Sequence, residues 1–395
     1  MRLSRGKFFD QLLKFLLLIL PLIYFSQVEN SYELPKFLLF VVGIWVLGGI
    51  KVWQCLTKKD NLQSSSIDRL TILVLTYGMI VLFSDFLGLD PRTSILGSKF
   101  RYQGFVTLAS GILLFLLMHY RRKVEKKEGL ILYESVILGS NFFVSLVALW
   151  QGVRVYFFND LSIPTYQGRI IGTMGNPNFL GGYLALTLPF VLLWNFDKKQ
   201  SLPKFVKHLL GLGLKAILVA MSLGAIFLSM SRGAILTSGV VLLTWLLSFK
   251  KSQVLITLLV VGLLIICISI QQAGLLRFGK RESIWENRYL IWNEGLKAVV
   301  RRPILGYGQE NFELIFPQER NMKVDNAHNL FLEILVSSGI VGLIIYLAIL
   351  IETLRNVPFV VKLSLLAFLI RAQFNPLSIT EIALFWFSLN FAKIK

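Results

Sequence analysis

Long apolar segments alternate with short polar ones along almost the whole chain. A membrane-spanning helix needs about 20 consecutive apolar residues, and the sequence contains twelve candidate spans of this kind. They lie near residues 12–27, 37–56, 70–88, 104–120, 130–152, 178–195, 212–229, 233–248, 252–270, 329–351, 357–371 and 377–392. The pattern predicts an all-α polytopic membrane protein with about 12 transmembrane helices in a single membrane domain, residues 1–395. Arg371, Pro376 and Glu381 interrupt the last two spans, so ten to twelve is the range that the pattern supports.

One long polar stretch interrupts the apolar pattern, at residues 271–328 between the ninth and tenth candidate spans. Within it, about Glu282–Val300 carries apolar side chains at helical spacing, which predicts an amphipathic helix. The recurring side chains are Trp285, Tyr289, Trp292 and Leu296. Arg301 and Arg302 are expected to cap the end of that helix, and Gly306 and Gly308 to form a turn. We therefore expect a long helical loop on the extracytoplasmic side.

Composition and charge narrow the class of protein and its partners. With 55% hydrophobic residues and a mean hydropathy of +0.67, the chain is not a soluble globular protein. Lysines cluster in the predicted inner segments, which places both termini in the cytoplasm and the protein in the cytoplasmic (inner) membrane. No small-residue cleavage site follows the first span, so we expect an uncleaved helix there. Arginines are frequent in the predicted outer segments, and a guanidinium binds phosphate oxygens in pairs, so the net charge of +19 indicates an outer anion site rather than a nucleic-acid surface.

The even-numbered spans are predicted to begin on the outer side, where their positive helix ends attract anions. The fourth begins just after Arg101, the sixth at Asn176, the eighth at Ser231 and the tenth within Asp325–His328. Asn176 and Ser231 are typical N-cap residues. Four such ends could converge on one pocket. The alternative is that these are ordinary turns and caps, and that Arg92, Arg101 and Arg154 simply lie at the level of the lipid headgroups.

His328 is the one histidine that the topology places outside, since His119 and His208 fall on the cytoplasmic side. A neutral imidazole suits a general base at neutral pH. The helix end would favour the neutral ring, whereas Asp325 would favour the charged one or would orient it. No cofactor is expected. Because of this separation a histidine metal site is not expected, but a carboxylate-held magnesium or manganese ion stays open, with Glu286, Glu310 and Asp325 as candidate ligands.

Several short motifs follow one another between about Arg101 and Leu350. In order they are Gly168-Arg169, Gly172–Asn178, Ser231-Arg232-Gly233-Ala234, Arg288-(three residues)-Trp292, Pro303-(two residues)-Gly306-Tyr307-Gly308, and His328-Asn329-Leu330-Phe331-Leu332 with Gly339 and Gly342. None is specific alone, but the ordered set resembles the O-antigen ligase/O-antigen polymerase family. The resemblance implies a multi-helix, GT-C-like glycosyltransferase. Its donor would be a polyprenyl-diphosphate-linked glycan, and its acceptor a hydroxyl on a glycan, a lipid or a protein.

The resemblance also implies roles for individual residues. Arg169, Arg232 and Arg288 match the arginines that engage the diphosphate, and His328 matches the catalytic histidine. Supporting roles are predicted for Asn178, Ser231, Trp292, Asp325 and Asn329. The expected reaction is a single displacement with inversion, in which the guanidinium groups stabilise the departing diphosphate.

Other functions stay open at this point. A lipid-linked-glycan flippase or secondary transporter would carry charge at mid-membrane, and the candidate spans are nearly free of it. Within the enzymes, a protein O-oligosaccharyltransferase and a peptidoglycan polymerase are the alternatives. The sequence therefore favours glycan transfer over transport.

Overall fold

The structure is a computed structural model that describes residues 5–58, 68–125, 129–194, 204–248, 284–317 and 324–392. Almost all of these residues are helical. In chain order the helices are α1 (Arg5–Ile19), α2 (Glu33–Lys58), α3 (Arg69–Phe86), α4 (Pro91–Leu96), α5 (Phe105–Glu125), α6 (Gly129–Tyr156), α7 (Pro177–Leu193), α8 (Lys204–Leu228), α9 (Arg232–Leu247), α10 (Ile284–Arg301), α11 (Phe312–Ile315), α12 (Leu330–Asn356), α13 (Phe359–Ala372) and α14 (Ile379–Ser388). Two-residue strands β1 (Thr165–Tyr166) and β2 (Arg169–Ile170) form an antiparallel hairpin, and 3-10 helices cover Gly172–Met174 and Leu389–Phe391.

Six of these helices are long and apolar enough to cross a membrane. They are Glu33–Gln54, Arg69–Phe86, Phe105–Arg122, Tyr133–Tyr156, Leu210–Leu228 and Leu330–Asn356. Shorter apolar helices cover Pro177–Leu193, Arg232–Leu247 and Ile379–Phe391. The chain is thus a multi-pass, largely α-helical membrane protein, as predicted. The total of twelve stays a prediction, because the candidate span at 252–270 lies outside the described residues.

The first helix differs from its prediction. A span was expected near residues 12–27, but α1 begins at Arg5 and ends at Ile19. Pro21 follows closely, and the residue before a proline is disfavoured in the helical conformation. The chain therefore turns before the end of the apolar segment.

Helix α7 lies at the centre of the described bundle. It packs against α6, α8, α9 and α13, and nearly every side chain from Pro177 to Leu192 is buried. A helix that is apolar on all sides belongs in the interior. Because α7 is enclosed in this way, its first turn is a fixed reference point for the polar residues around it.

Helix α12 is broken at Gly339, and an earlier segment fills the break. Gly339 has a φ of 67°, and a Cβ there would lie 2.0 Å from the carbonyl oxygen of Ile304. The Tyr307 and Gly308 amides donate to the Val336 and Ser337 carbonyls at 2.9 Å each, and the Ile340 amide donates to the Pro303 carbonyl at 2.8 Å. The joint consists of Pro303–Gly308 and Val336–Ile340. This joint fixes the end of α10 against the middle of α12.

The described part of the predicted loop at 271–328 contains two helices, α10 and α11. The amphipathic helix expected at about Glu282–Val300 is confirmed as Ile284–Arg301, and it ends at Arg301 as expected. The turn at Gly306 and Gly308 is also confirmed, with φ values of 68° and 86°. Residues 271–283 and 318–323, and the side chain of Trp285, lie outside the description. That this region faces the outside stays a prediction.

Candidate functional site

Arg169 lies in the short hairpin that precedes α7. Gln167 and Gly168 turn the chain with φ values of 54° and 74°, and Arg169 itself is buried. Its Nε donates to the Ser229 carbonyl at 3.0 Å, and its Nη2 donates to Asn178 Oδ1 at 3.2 Å. The guanidinium is thereby held between the first turn of α7 and the end of α8.

The start of α7 follows the sequence prediction. Asn176 is the N-cap, its Oδ1 accepts from the Asn178 amide at 2.8 Å, and Pro177 occupies the first turn. Asn178 Oδ1 also accepts from the Ser231 hydroxyl at 3.1 Å. Ser231 stands at the N-cap position of α9, but its side chain does not cap that helix. The prediction of a Ser231 cap is therefore wrong in its contact, because the hydroxyl is used to join α9 to α7.

Arg232 and Arg288 form a cationic pair beside the turn that follows α13. Arg232 is exposed and is the first residue of α9. Arg288, from α10, donates through Nη2 to the Phe374 carbonyl at 2.7 Å and lies 5.9 Å from the centre of the Phe374 ring. Burial lowers the pKa of Arg288, and the neighbouring charge of Arg232 lowers it further. Two like charges this close favour an anion between them.

Arg371 connects this turn to α7, and sequence reasoning missed it. It is fully buried, its Nε lies 2.8 Å from Glu381 Oε1, and its Nη2 donates to the Asn178 carbonyl at 3.2 Å. Its Nη1 donates to the carbonyls of Asn375, at 3.0 Å, and Pro376. In the sequence, Arg371 and Glu381 looked like interruptions of two spans. Two opposite charges in neighbouring apolar segments are a signal that a buried ion pair is present.

Helix α12 begins later than the sequence suggested. Its first residue is Leu330 and its N-cap is Asn329, whose Oδ1 accepts from the Leu332 amide at 3.0 Å. The sequence placed the start within Asp325–His328. His328 instead adopts a left-handed φ of 53°, a conformation that cannot continue a right-handed helix. Asn329 is therefore the residue that caps α12.

The turn that carries His328 is held at several points. The His328 amide donates to Asn326 Oδ1 at 2.7 Å. The Ala327 amide donates to Glu333 Oε2 at 2.7 Å, and the Ala327 carbonyl accepts from Trp292 Nε1 at 3.1 Å. A left-handed conformation costs energy for a residue other than glycine and persists when its surroundings fix it. Trp292 and Asn329 thus support the backbone on either side of His328.

Asp325 is engaged by Arg101. Arg101 Nε donates to Asp325 Oδ2 at 2.9 Å, and Nη2 lies 2.6 Å from Oδ1. Arg101 is only 4% exposed, so its side chain is packed inside the protein, and its depth relative to the lipid headgroups stays a prediction. Burial alone would raise the pKa of Asp325, but Arg101 holds it below its usual value. Among the described residues, no hydrogen bond joins Asp325 to the His328 ring.

The His328 imidazole is half-buried and surrounded mainly by positive charge. Burial lowers the pKa of His328 to about 4, and the charge of Arg101 adds to the shift. Arg288 and Arg371 act in the same direction, whereas Asp325 opposes them. Within the described part of the chain, the ring makes no hydrogen bond. The lowered pKa keeps the ring neutral at pH 7, and a neutral ring has one nitrogen that can accept a proton.

The candidate metal ligands have other partners where they are described. Glu310 Oε2 accepts from the Ser98 amide at 3.0 Å, Asp325 pairs with Arg101, and the side chain of Glu286 lies outside the description. No group of three histidine, cysteine, aspartate or glutamate side chains suited to a metal ion occurs among the described residues.

Hydrogen bonds and neighbouring charges thus connect most of the predicted site residues. Arg288 lies near both Arg232 and His328, and Asn178 joins Arg169 to Ser231 at the start of α9. What this arrangement offers chemically is a neutral base next to several guanidinium groups and two helix starts. Such a site suits an anionic substrate that gives up a leaving group.

Residues 216–347 match the family described as O-Antigen ligase. This match confirms the resemblance, and it includes Arg232, Arg288 and His328 but not Arg169. A protein of Acinetobacter baylyi (strain ATCC 33305 / BD413 / ADP1), the ComP-specific O-oligosaccharyltransferase, is 26% identical over 223 residues. The matched region is 52% of this chain and 39% of that relative, so the chain spans well under two thirds of its length.

Proposed function

We propose that this chain, whose residues 216–347 match the family described as O-Antigen ligase, moves a glycan from a polyprenyl-diphosphate carrier to an acceptor hydroxyl. The transfer would take place at the outer face of the cytoplasmic membrane, with both termini in the cytoplasm. The observation that carries the proposal is the neutral, unbonded His328 imidazole close to the Arg288 guanidinium. A base next to cations is what a transfer from a diphosphate requires.

The donor's diphosphate would lie between Arg232 and Arg288. Both arginines flank the Phe374 turn, and the repulsion between them would be relieved by a dianion. Arg288 would exchange the neutral Phe374 carbonyl for a phosphate oxygen, which makes a stronger, charge-assisted hydrogen bond. Arg169, joined to the start of α9 through Asn178, would contact the same group from the α7 side.

The reaction follows from this placement. The acceptor oxygen attacks the anomeric carbon from the face opposite the diphosphate, and the carbon–oxygen bond to the diphosphate breaks with its electron pair going to the leaving group. The hydroxyl proton passes to the unprotonated nitrogen of His328. The product glycoside has inverted anomeric configuration. Arginine charges stabilise the oxygen on which negative charge grows.

Donor binding would also strengthen the base. Burial lowers the pKa of His328 to about 4, and the charges of Arg101, Arg288 and Arg371 add to this shift, so the imidazole is a weak base. A bound diphosphate cancels part of that positive charge and so raises the affinity of the ring for a proton. His328 would therefore become an effective base only when the donor is in place, which limits hydrolysis in the absence of substrate.

The identity of the acceptor follows less directly. The name of the Acinetobacter relative favours a protein hydroxyl as one candidate, and the family description favours a lipid or glycan hydroxyl. Transport is the weaker alternative, because the described buried ions of the site lie close to helix ends. Arg371 is an example, near the end of α13.

The test is a transfer assay with purified protein in liposomes, a polyprenyl-diphosphate-linked glycan and an acceptor. We expect one lipid diphosphate released for each glycan bonded to the acceptor, and inverted configuration at the new linkage by NMR. A flippase would move the intact lipid-linked glycan between leaflets and break no bond. That result, or retained configuration with no effect of His328→Ala, would overturn the proposal.

A further inference from the structure

Arg101 is a buried cation that the proposed reaction does not use directly. It lies in the segment that precedes α5, where its amide donates to the Ser98 carbonyl at 3.2 Å. The Ser98 amide in turn donates to Glu310 Oε2 at 3.0 Å. The backbone around Arg101 is thus anchored to the loop between α10 and α12. A buried guanidinium with an anchored backbone has a well-defined direction.

That direction is toward the turn that holds His328. Arg101 grips Asp325 through two parallel contacts, of 2.9 and 2.6 Å, and such a two-point contact fixes both distance and orientation. Asp325 stands three residues before His328. Further along the turn, Ala327 is held by Trp292 and Glu333. Arg101 therefore holds the start of the turn, at Asp325, by paired hydrogen bonds.

We propose that Arg101 is a positioning residue for His328, which acts by holding Asp325 and by keeping that carboxylate from the imidazole. The inference rests on the proposed function, because it assigns Arg101 to the base of that reaction. Without Arg101, the turn would lose its first anchor. The Asp325 carboxylate would also be released beside the ring, where a carboxylate favours the protonated form of histidine.

The charged groups that face His328 support the same conclusion. Arg101 comes from the segment before α5, Arg288 from α10, Arg371 from α13, and Asp325 from the turn itself. The three arginines disfavour protonation of the ring and Asp325 favours it. Arg101 is the one arginine in this set that pairs with Asp325. Removing it takes a positive charge away from the ring and also releases the Asp325 carboxylate, and both changes favour the protonated form of His328.

The experiment compares pH profiles of kcat/KM for the wild type and three variants in the liposome transfer assay. Arg101→Gln should move the acid limb of the profile upward by about one pH unit or more. Asp325→Asn should leave that limb at or below its wild-type position, because the opposing charge is removed and Arg101 remains. Arg101→Lys keeps the charge but loses the two-point contact, so its acid limb should stay near that of the wild type while kcat falls by about tenfold. The matched control is Arg92→Gln, because Arg92 is an exposed arginine of α4. This variant should change neither the acid limb nor kcat.

A purely structural role for Arg101 would lower transfer by Arg101→Gln and Asp325→Asn at every pH without separating their acid limbs, and that result would overturn the inference. If Arg101→Gln does not fold, Arg101→Lys decides the question: a wild-type kcat in that variant rejects the positioning role, because its charge is kept and only the two-point contact with Asp325 is lost. Failure of the proposed function looks different. In that case the wild type itself forms no product, or His328→Ala transfers normally.

Discussion

Two histidines at opposite ends of α5 have opposite surroundings. His119 lies in the last turns of α5, with Nε2 3.2 Å from Asp68 Oδ2 and its ring stacked on Phe115 at 5.4 Å. His328 lies near the segment that precedes α5, about 20 Å away along the helix axis, and faces three arginines. A histidine that contacts a carboxylate and an aromatic ring has a structural role. A neutral histidine among guanidinium groups keeps a nitrogen available for chemistry.

The arginines at the two ends differ in the same way. Arg121, near His119, contacts the carboxylate of Asp10 at 2.9 Å and lies over the Phe9 ring. Arg288, near His328, donates to a neutral carbonyl and has Arg232 as a like-charged neighbour. A carboxylate partner cancels the charge of an arginine, whereas a carbonyl does not. The difference teaches that an arginine or a histidine does not mark the site by its residue type alone.

The strongest way to break this comparison is to remove each histidine in turn. His328→Ala should lower the transfer rate by about 10²- to 10⁴-fold, the usual contribution of a general base. His119→Ala should leave transfer unchanged and lower the free energy of unfolding by about 1 kcal/mol. Transfer rates in liposomes and thermal unfolding in detergent would measure the two effects. Equal losses of transfer in both variants would contradict the distinction.

A second test exchanges arginine for lysine at both ends. Arg288→Lys should lower kcat by about 10- to 100-fold, because the charge is kept but the planar fork that holds a phosphate is lost. Arg121→Lys is the matched control and should keep the wild-type kcat. If Arg288→Lys transfers at the wild-type rate, Arg288 does not hold the diphosphate through paired hydrogen bonds.

The pH dependence gives a third, smaller effect. A lowered histidine pKa means that the basic form is present above it, so kcat/KM should be nearly constant between pH 7.5 and pH 5.5 and should fall only near pH 4, the pKa of His328. A histidine with its ordinary pKa of about 6.5 would instead lose about tenfold over that interval. An acid limb near pH 6.5 in the free enzyme would show that burial and the arginines do not lower the pKa of the ring.

The smallest expected effect is at Ser231. Ser231→Ala removes one hydrogen bond to Asn178, which is worth about 1 kcal/mol, so KM for the lipid-linked donor should rise by roughly fivefold. Ser248→Ala, at the exposed opposite end of α9, is the control and should not change KM. An unchanged KM in Ser231→Ala would separate Ser231 from donor binding.

Local signals were enough to predict parts of this structure. Asn176 and Pro177 marked the start of α7, helical spacing marked α10, and Gly306 with Gly308 marked the turn, because each feature depends on residues close in the sequence. The start of α12 was misplaced because nothing local announced the left-handed conformation of His328.

The ion pairs around the site could not be predicted in the same way. Arg101 and Asp325 are 224 residues apart, so no periodicity or cap signal relates them. Arg371 and Glu381 are close in sequence, but they were read as defects in two spans rather than as partners. Opposite charges in neighbouring apolar segments were a signal for the Arg371–Glu381 pair, whereas the pairing of Arg101 with Asp325 depends on how distant segments pack.

The broken helix α12 has a consequence for how the protein is built. In a bilayer every backbone amide and carbonyl needs a partner within the protein, and at the break those partners come from residues 303–308, which are synthesised before α12. Helix α12 can therefore fold in the membrane only together with the segment Pro303–Gly308 that precedes it. The same joint therefore couples the folding of α12 to the placement of the segment that follows α10.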